Sequence, residues 1–426
     1  MRISILAVGS RGDVQPALAL GVGLQRAGYQ VRIGSYAQFA DLTAEYGLEF
    51  APIAGDIMQL LQSERGRATL ESRNPARLLM LIRDYIGREA EQSRHDIAAA
   101  CAGAEALISV GQFYYAVEMM ATLNRVPHLT AQLQPNLATG AFPSPMLPAP
   151  PVHSAPINRA SHEFAEWLFY QMLRSTLNQA RAAFGLAPAG WRSPLNTGIL
   201  GGKTALYAFS RILVPQPADW PPATQITGFW FLDPPHAYTP PADLLRFLKA
   251  GEPPVYIGFG SMNTRDPQRT AELVFRALEL SGRRGVLMRG WGGLDGSHLP
   301  AGVHMIDGAP HAWLFPQMAA VVHHGGAGTT GAGLRSGVPS IVVPFFIDQP
   351  FWADRVAGLG VGPAPLPRRK LNADNLARAL DVIAAPEIRR RAAAVGYLIE
   401  SENGVQRAVE RIAQELPLKP GVQLAS

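Results

Sequence analysis

The chain has 426 residues, of which 47% are hydrophobic and 17% are charged, so its composition excludes a largely disordered protein. Its single cysteine, Cys101, excludes an intramolecular disulfide framework and favours a reducing compartment, which predicts a cytoplasmic location. The net charge of +5 is mild and the basic residues are dispersed, which disfavours nucleic-acid binding, and no run of about 18 apolar residues predicts a membrane span.

The N-terminal half begins with a predicted β-α-β unit. Its parts are a buried strand at 2–8, a helix at 16–27 that Gly28 ends, and a second strand at 29–33. Such a unit implies a parallel sheet. The elements predicted next are strands at 105–110 and 127–132, a proline-rich loop at 141–156 and a long helix at 159–185.

A second proline-rich stretch at 215–241 is the best candidate for a domain boundary. After it, a strand at 254–258 resumes the alternation of strands and helices. Two α/β halves joined by a linker predict a cleft between them. Ligands of such sheets bind outside the carboxyl ends of the strands.

The most informative segment follows a buried strand at 319–323. There the turn His324-Gly-Gly-Ala-Gly328 leads into a helix predicted at 329–336. Glycine lets the backbone approach a ligand closely, and the free N–H groups at a helix start attract anions. The pattern predicts a pyrophosphate cradle without a lysine. A tight turn with a packed histidine is the alternative that the spacing alone leaves open.

The next strand, at 340–344, is followed by Asp348 and Gln349. A carboxylate beside an amide can hold sugar hydroxyls, because the carboxylate accepts hydrogen bonds and the amide both donates and accepts them. An ordinary capping pair before the helix at Pro350 is the alternative.

Other ligand motifs fit less well. The stretch 201–204 mimics the end of a P-loop, but Thr197 stands where the motif requires glycine. No acidic residue follows the second strand to hold a ribose, which disfavours a nicotinamide site. No metal-binding motif and no G-x-S-x-G hydrolase elbow occurs.

The chain resembles family 1 glycosyltransferases, and within them the sterol glucosyltransferases and the bacterial enzymes that glycosylate antibiotic aglycones. The resemblance covers nearly the whole chain. It rests on VGSRGDVQP at 8–16, TGFW at 227–230, VYIGFGSM at 255–262, RGWG at 289–292, HHGGAGTT at 323–330, GVP at 337–339 and PFFIDQP at 344–350.

The resemblance implies an α/β protein of the GT-B class, with two facing Rossmann-like domains, parallel sheets and an interdomain cleft. Residues 1–228 would form the acceptor-binding domain, 229–252 the linker and 253–394 the nucleotide-sugar-binding domain. A C-terminal helix at about 395–426 would pack back onto the first domain.

The resemblance also implies a metal-independent, inverting transfer that needs no cofactor besides the donor sugar nucleotide. By position, His324, Ser261 and the backbone at Gly326, Gly328 and Thr329 would hold the pyrophosphate, and Asp348 and Gln349 would hold the sugar. The remaining predicted donor-binding residues are Ser10, Gly12, Ala309 and His311.

Two positions depart from the plant enzymes. Gly308 stands where they stack a tryptophan on uracil, which leaves UDP and TDP sugars open. Asp13 stands where they place a catalytic histidine, and the partner region 109–112 has no acidic residue. Asp13 is therefore the candidate general base, as in the antibiotic branch. Capping of the following helix is its alternative role.

The predicted acceptor-binding residues are Gln112, Phe113, Gln132 and Phe142, on loops of the first domain. Their character suggests a bulky apolar acceptor of the sterol, flavonoid or polyketide type. The predicted reaction is hexose transfer to such an acceptor, with UDP-glucose as the favoured donor. The alternatives are a TDP-sugar-dependent antibiotic or macrolide glycosyltransferase and a non-catalytic nucleotide-sugar-binding protein. Stable membrane attachment is not predicted, although transient membrane contact is compatible with such an acceptor.

Overall fold

The computed structural model describes residues 1–72, 75–193, 204–259, 267–288, 299–345 and 347–418. The chain divides into two compact units. The first comprises Met1–Phe209, Gln216–Leu232 and Asn403–Ser426, and the second comprises Ser210–Pro215 and Asp233–Glu402. The change from one unit to the other at Leu232 lies within the proline-rich stretch that the sequence singles out.

The first unit is built on a parallel sheet of seven strands in the order β3-β2-β1-β4-β5-β6-β7. The strands are β1 (Arg2–Ala7), β2 (Gln30–Tyr36), β3 (Glu49–Ile53), β4 (Ala106–Val110), β5 (His128–Gln132), β6 (Ala205–Tyr207) and β7 (Thr224–Ile226). Its helices are α1 (Arg11–Arg26), α2 (Ala40–Glu45), α3 (Ile57–Gln62), α4 (Glu64–Glu71), α5 (Pro75–Cys101), α6 (Tyr114–Asn124) and α7 (Ala155–Ala183).

The second unit is built on a parallel sheet of five strands in the order β10-β9-β8-β11-β12. The strands are β8 (Val255–Gly258), β9 (Gly285–Met288), β10 (Val303–Ile306), β11 (Ala320–His323) and β12 (Ser340–Val342). Its helices are α8 (Ala242–Lys249), α9 (Pro267–Leu280), α10 (His311–Leu314), α11 (Ala327–Arg335), α12 (Gln349–Gly358), α13 (Ala373–Val382) and α14 (Pro386–Glu400).

The segment predicted as one helix over about 395–426 contains a break. Helix α14 ends at Glu400, Asn403 adopts a left-handed backbone with a φ of 51°, and α15 (Gly404–Glu415) begins after it. Only α15 belongs to the first unit, where it packs against α1. A Cβ atom placed on Gly23 of α1 would lie 2.6 Å from Val405 Cγ1, so the close contact of the two helices requires a glycine at that point.

The central strands of both sheets are enclosed, as expected for parallel sheets covered by helices. Strands β4, β5, β8 and β11 are buried at every position. Because neighbouring strands are parallel, their carboxyl ends meet at one edge of each sheet, where ligands of such folds bind. None of the described helices combines the length and apolar character needed to cross a bilayer.

Candidate active site

In the first unit, Asp13 follows the carboxyl end of β1. Helix α1 begins at Arg11, five residues before the predicted start, because Ser10 and Asp13 form a reciprocal capping box. The Ser10 N–H and the Ser10 hydroxyl both donate to Asp13 Oδ2, at 2.8 and 2.9 Å. Asp13 is therefore the third residue of the helix and the capping partner, whereas Ser10 is the N-cap.

The environment of the Asp13 carboxyl suits proton transfer. Burial raises its pKa above the usual range, and the two hydrogen bonds from Ser10 oppose part of this shift. Both bonds fall on Oδ2, and no described residue hydrogen-bonds to Oδ1. The turn before the helix is fixed by Gly9, whose φ of +139° and contact with Asp13 leave no room for a side chain.

Tyr36 is a neighbour of Asp13 that the sequence analysis missed. It ends β2, which pairs with β1. Burial raises the pKa of Tyr36, and the charges of Tyr85, Asp56 and Asp13 raise it further. The sequence could have indicated Tyr36, because it follows closely after the strand predicted at 29–33, the neighbour of β1. Adjacent parallel strands end side by side, which brings this residue close to Asp13.

The predicted acceptor-binding residues occupy two kinds of environment. Gln112 and Phe113 are half-buried in a short turn directly after β4, the other neighbour of β1. Gln132 is buried, and its side-chain amide donates to the Gly111 carbonyl at 3.2 Å. Phe142 is also buried, with its ring centroid 5.8 Å from that of His162. The structure thus places Gln112, Phe113 and Gln132 at the carboxyl edge of the sheet, whereas Phe142 packs in the interior.

A buried polar cluster next to this region also escaped the sequence analysis. Tyr114 donates to Glu166 Oε2 at 2.8 Å, Ser193 donates to Glu166 Oε1 at 2.6 Å, and Tyr115 bonds to the same carboxyl. Burial raises the pKa of Glu166. The cluster joins α6, α7 and the segment 191–193. We assign it a structural role, because each hydroxyl is directed at a carboxyl inside the network.

In the second unit, the glycine-rich turn connects β11 to α11. Gly325 has a φ of +90°, and a Cβ atom there would lie 2.8 Å from Val342 Cγ1 and 3.1 Å from the Gln349 carbonyl oxygen. Gly326 is the N-cap of α11, and a Cβ atom there would lie 2.5 Å from His324 Nε2. Position 325 therefore requires glycine, whereas a side chain at Gly326 would displace the His324 ring.

Helix α11 begins two residues before the predicted start. Its first N–H groups, at Ala327, Gly328 and Thr329, have no intrahelical acceptor, because the first helical bond runs from Thr330 N–H to the Gly326 carbonyl at 2.9 Å. No side chain caps this helix. Thr329 and Thr330, whose hydroxyls could cap a helix that began at 329, lie inside the helix. The free N–H groups and the helix dipole favour an anion at this point.

The two adjacent histidines are both neutral at pH 7. Burial lowers the pKa of His323 to about 3, and the neighbouring His324 and His311 contribute further. Burial also lowers the pKa of His324 to about 4. The His323 Nδ1 atom accepts the Gly325 N–H at 3.2 Å, so its proton resides on Nε2. In His324, the enclosed Nδ1 atom has no hydrogen-bond partner in the described part of the chain.

These shifts predict that acid destabilises the second unit. A histidine in the unfolded chain has a pKa near 6.5. Below that pH the unfolded chain therefore binds protons at these two histidines and the folded chain does not, so the free energy of unfolding falls as the pH drops toward 3. We expect His323→Asn, which keeps an acceptor for Gly325, to reduce this dependence by up to about 1.4 kcal/mol per pH unit between pH 6 and pH 4. Urea unfolding at several pH values measures it, and equal pH slopes for both proteins would contradict the assignment.

Asp348 and Gln349 open helix α12. The Gln349 Oε1 atom accepts the Phe345 N–H at 2.8 Å, and the Asp348 Oδ2 atom accepts the Trp352 indole N–H at 2.9 Å. Ile347 before them has a φ of 57°, a conformation that β-branched residues rarely adopt. Strained residues of this kind cluster at functional sites.

Two further predicted donor residues follow β10. Ala309 is half-buried, and His311 begins α10 with its ring stacked on Phe315 at a centroid distance of 4.2 Å. Ser10 and Gly12 lie in the first unit beside Asp13. Ser261, the segment 289–292 and the P-loop-like residues 201–203 lie outside the described residues.

Family models match both ends of the chain. Residues 3–140 match the glycosyltransferase family 28 N-terminal domain, and residues 292–415 match the erythromycin biosynthesis protein CIII-like C-terminal domain. A sterol 3-beta-glucosyltransferase of Arabidopsis thaliana is 34% identical over 98% of this chain and 68% of its own length. One from Leptosphaeria maculans is also 34% identical, over 98% of this chain but 29% of its own length. The chain thus spans about two thirds of the plant relative and less than a third of the fungal one.

Solved structures share the fold at lower identity. The glycosyltransferase of kitacinnamycin superposes with a TM-score of 0.71 at 20% identity, covering 98% of this chain and 99% of that one. The glycosyltransferase VinC, in complex with dTDP, superposes with a TM-score of 0.66 at 18% identity, covering 97% and 100%. These likenesses confirm the predicted α/β class with two parallel sheets and the GT-B fold.

Proposed function

The chain belongs to the glycosyltransferase family that contains the plant sterol 3-beta-glucosyltransferases, and from this premise we propose that it moves a hexose from a nucleoside diphosphate sugar to a hydroxyl of a bulky apolar acceptor. We propose UDP-glucose as the donor. The first unit supplies the general base and binds the acceptor, and the second unit binds the donor. The observation that carries the donor assignment is the uncapped start of α11 behind a turn in which Gly325 must be glycine.

The diphosphate is bound by the turn from His324 to Thr329. Three backbone N–H groups there lack partners in the helix, and the neutral His324 can donate one further hydrogen bond. Such donors stabilise the negative charge that grows on the leaving diphosphate without any need for a metal ion. Asp348 and Gln349 bind sugar hydroxyls. The strained backbone at Ile347 sets the position of Asp348, the N-cap of α12.

Asp13 acts as the general base. Its carboxylate takes the proton from the acceptor hydroxyl while the hydroxyl oxygen forms a bond to the anomeric carbon. The bond from that carbon to the diphosphate oxygen breaks, and the diphosphate leaves with the electron pair. A single displacement of this kind inverts the anomeric configuration. The raised pKa of Asp13 supports the role, because a base works best when its pKa approaches the working pH.

The acceptor class is inferred from the relatives. The plant and fungal relatives are named sterol 3-beta-glucosyltransferases, and we propose a sterol or a comparably bulky apolar alcohol for this chain. A second candidate is transfer from a TDP sugar to an antibiotic aglycone. It is favoured by the likeness to the kitacinnamycin enzyme and to VinC with its bound dTDP, and Gly308 is compatible with either base.

A donor and acceptor panel tests the proposal. UDP or TDP is expected to raise the melting temperature equally in EDTA and in magnesium, because a ligand that binds only the folded state stabilises it. Turnover is then measured with UDP-glucose and TDP-glucose against a sterol, a flavonoid and a macrolide aglycone. An absolute requirement for a divalent metal would overturn the metal-free mechanism. Donor binding with no transfer to any acceptor would indicate a non-catalytic binding protein.

A further inference from the structure

Tyr256 is a buried residue in the middle of β8 that the proposed mechanism does not use. Only 3% of it is exposed, and its ring packs against Phe315 at a centroid distance of 4.9 Å and against His311 at 6.1 Å. The ring runs along the strand toward its carboxyl end. A Cβ atom placed on Gly258 would overlap the Tyr256 hydroxyl and would lie 2.6 Å from its Cζ atom.

The position of this hydroxyl relative to the donor turn follows from the strand register. Gly258 is the last residue of β8, and it pairs directly with His323, the last residue of β11. The hydroxyl beside Gly258 therefore lies over one face of the sheet at its carboxyl edge, next to the end of β8 and one strand away from the end of β11. One of these strands continues immediately into the turn that begins at His324.

The hydroxyl has no hydrogen-bond partner among the residues that the structure describes. The oxygen is not fully enclosed, unlike the partnerless ring nitrogens of His323 and His324, so a ligand at the edge of the sheet can reach it. Packing alone does not account for the residue, since phenylalanine would fill the same space without a polar atom. Burial also raises the pKa of Tyr256, so the hydroxyl keeps its proton at neutral pH and can act as a donor.

We propose that the Tyr256 hydroxyl is a donor-binding group that hydrogen-bonds to an oxygen of the diphosphate in the nucleotide sugar. The inference rests on the proposed function, because it assumes that the neighbouring turn holds that diphosphate. Gly258 has a matching role, since the absence of a side chain there leaves room for the hydroxyl to reach the edge of the sheet.

The test is Tyr256→Phe, which removes the hydroxyl and keeps the ring. Binding of UDP, TDP and uridine is measured by titration calorimetry, and the melting temperature of the unliganded protein is recorded. We expect the affinity for UDP and TDP to fall by about 10-fold or more, as for the loss of a hydrogen bond to a charged group. The affinity for uridine, which has no phosphate, and the melting temperature are expected to stay within about 2-fold and 2 °C of the wild type.

Tyr397→Phe is the matched control, because Tyr397 is an exposed tyrosine on α14 of the same unit and its change is expected to leave nucleotide binding unaltered. An unchanged UDP affinity in Tyr256→Phe would overturn the inference while leaving the proposed function intact. An equal loss for uridine would place the hydroxyl on the nucleoside and overturn the diphosphate assignment. If the wild-type protein bound neither UDP nor TDP, the proposed function itself would fail.

Discussion

Replacing Asp13 with asparagine is expected to lower the maximal rate of sugar transfer by about 10²- to 10⁴-fold, the usual loss when a general base is removed. The asparagine oxygen can still accept both hydrogen bonds from Ser10, so the start of α1 stays capped and the melting temperature changes little. Steady-state rates with saturating donor and acceptor measure the effect. In the wild-type enzyme, activity should also decline as the pH falls through the raised pKa of Asp13, since only the carboxylate accepts a proton.

The acceptor provides an internal check on this assignment. A phenol is more acidic than an aliphatic alcohol and needs less help to lose its proton, so Asp13→Asn should retain more activity on phenols. Asp374→Asn is the matched control, because Asp374 is also an acidic residue in the first turn of a helix but is exposed on α13. Near-normal rates of Asp13→Asn on an aliphatic alcohol would leave Asp13 with its capping role alone.

Gly325→Ala is expected to weaken binding of UDP or TDP by roughly 10- to 100-fold, equivalent to about 1.4 to 3 kcal/mol. The methyl group would overlap Val342 Cγ1, and alanine rarely adopts a φ of +90°. The turn must therefore shift, which moves the N–H groups of α11 away from the diphosphate. The same strain, of order 1–3 kcal/mol, should lower the melting temperature.

Gly282→Ala separates backbone strain from loss of the binding site. Gly282 also has a positive φ, of +62°, but a Cβ atom there meets nothing within 4 Å. Its replacement should cost some stability and leave nucleotide affinity unchanged. If Gly325→Ala lowered the melting temperature without any loss of donor affinity, the turn would be a structural feature and not the diphosphate site.

Features encoded in short stretches of sequence could be predicted. The β-α-β start and the strand–turn–helix around His324 follow from apolar runs that end in glycine, because such signals depend on neighbouring residues only. The start of α1 was placed too late for a related reason. Proline is common at the first position of a helix, so Pro16 indicates a start there. The capping box of Ser10 and Asp13 instead starts the helix at Arg11, and Pro16 lies inside it.

Features that depend on three-dimensional neighbours could not be predicted. The packing of Gln132 against the turn at Gly111 joins two different strands. The position of the Tyr256 hydroxyl could not be predicted either, because the sequence of β8 indicates only an apolar strand. Each of these depends on register and side-chain direction, which a single sequence leaves open. The break at Asn403 is a different case, because the dipeptide Asn403-Gly404 is a turn signal that the prediction of one continuous helix overlooks.

The return of α15 to the first unit affects the order in which the protein can mature on the ribosome. The core beside β1 includes Ala408 and Ile412, and the Tyr29 hydroxyl donates to the Leu416 carbonyl at 2.7 Å. Those residues are synthesised after the whole of the second unit, which ends at Glu402. Domains usually mature in the order of their synthesis. In this chain the N-terminal unit is the last to acquire all of its parts. A chain that ends near residue 402 has the whole second unit, whereas its first unit lacks α15 and leaves exposed the apolar surface that α15 covers.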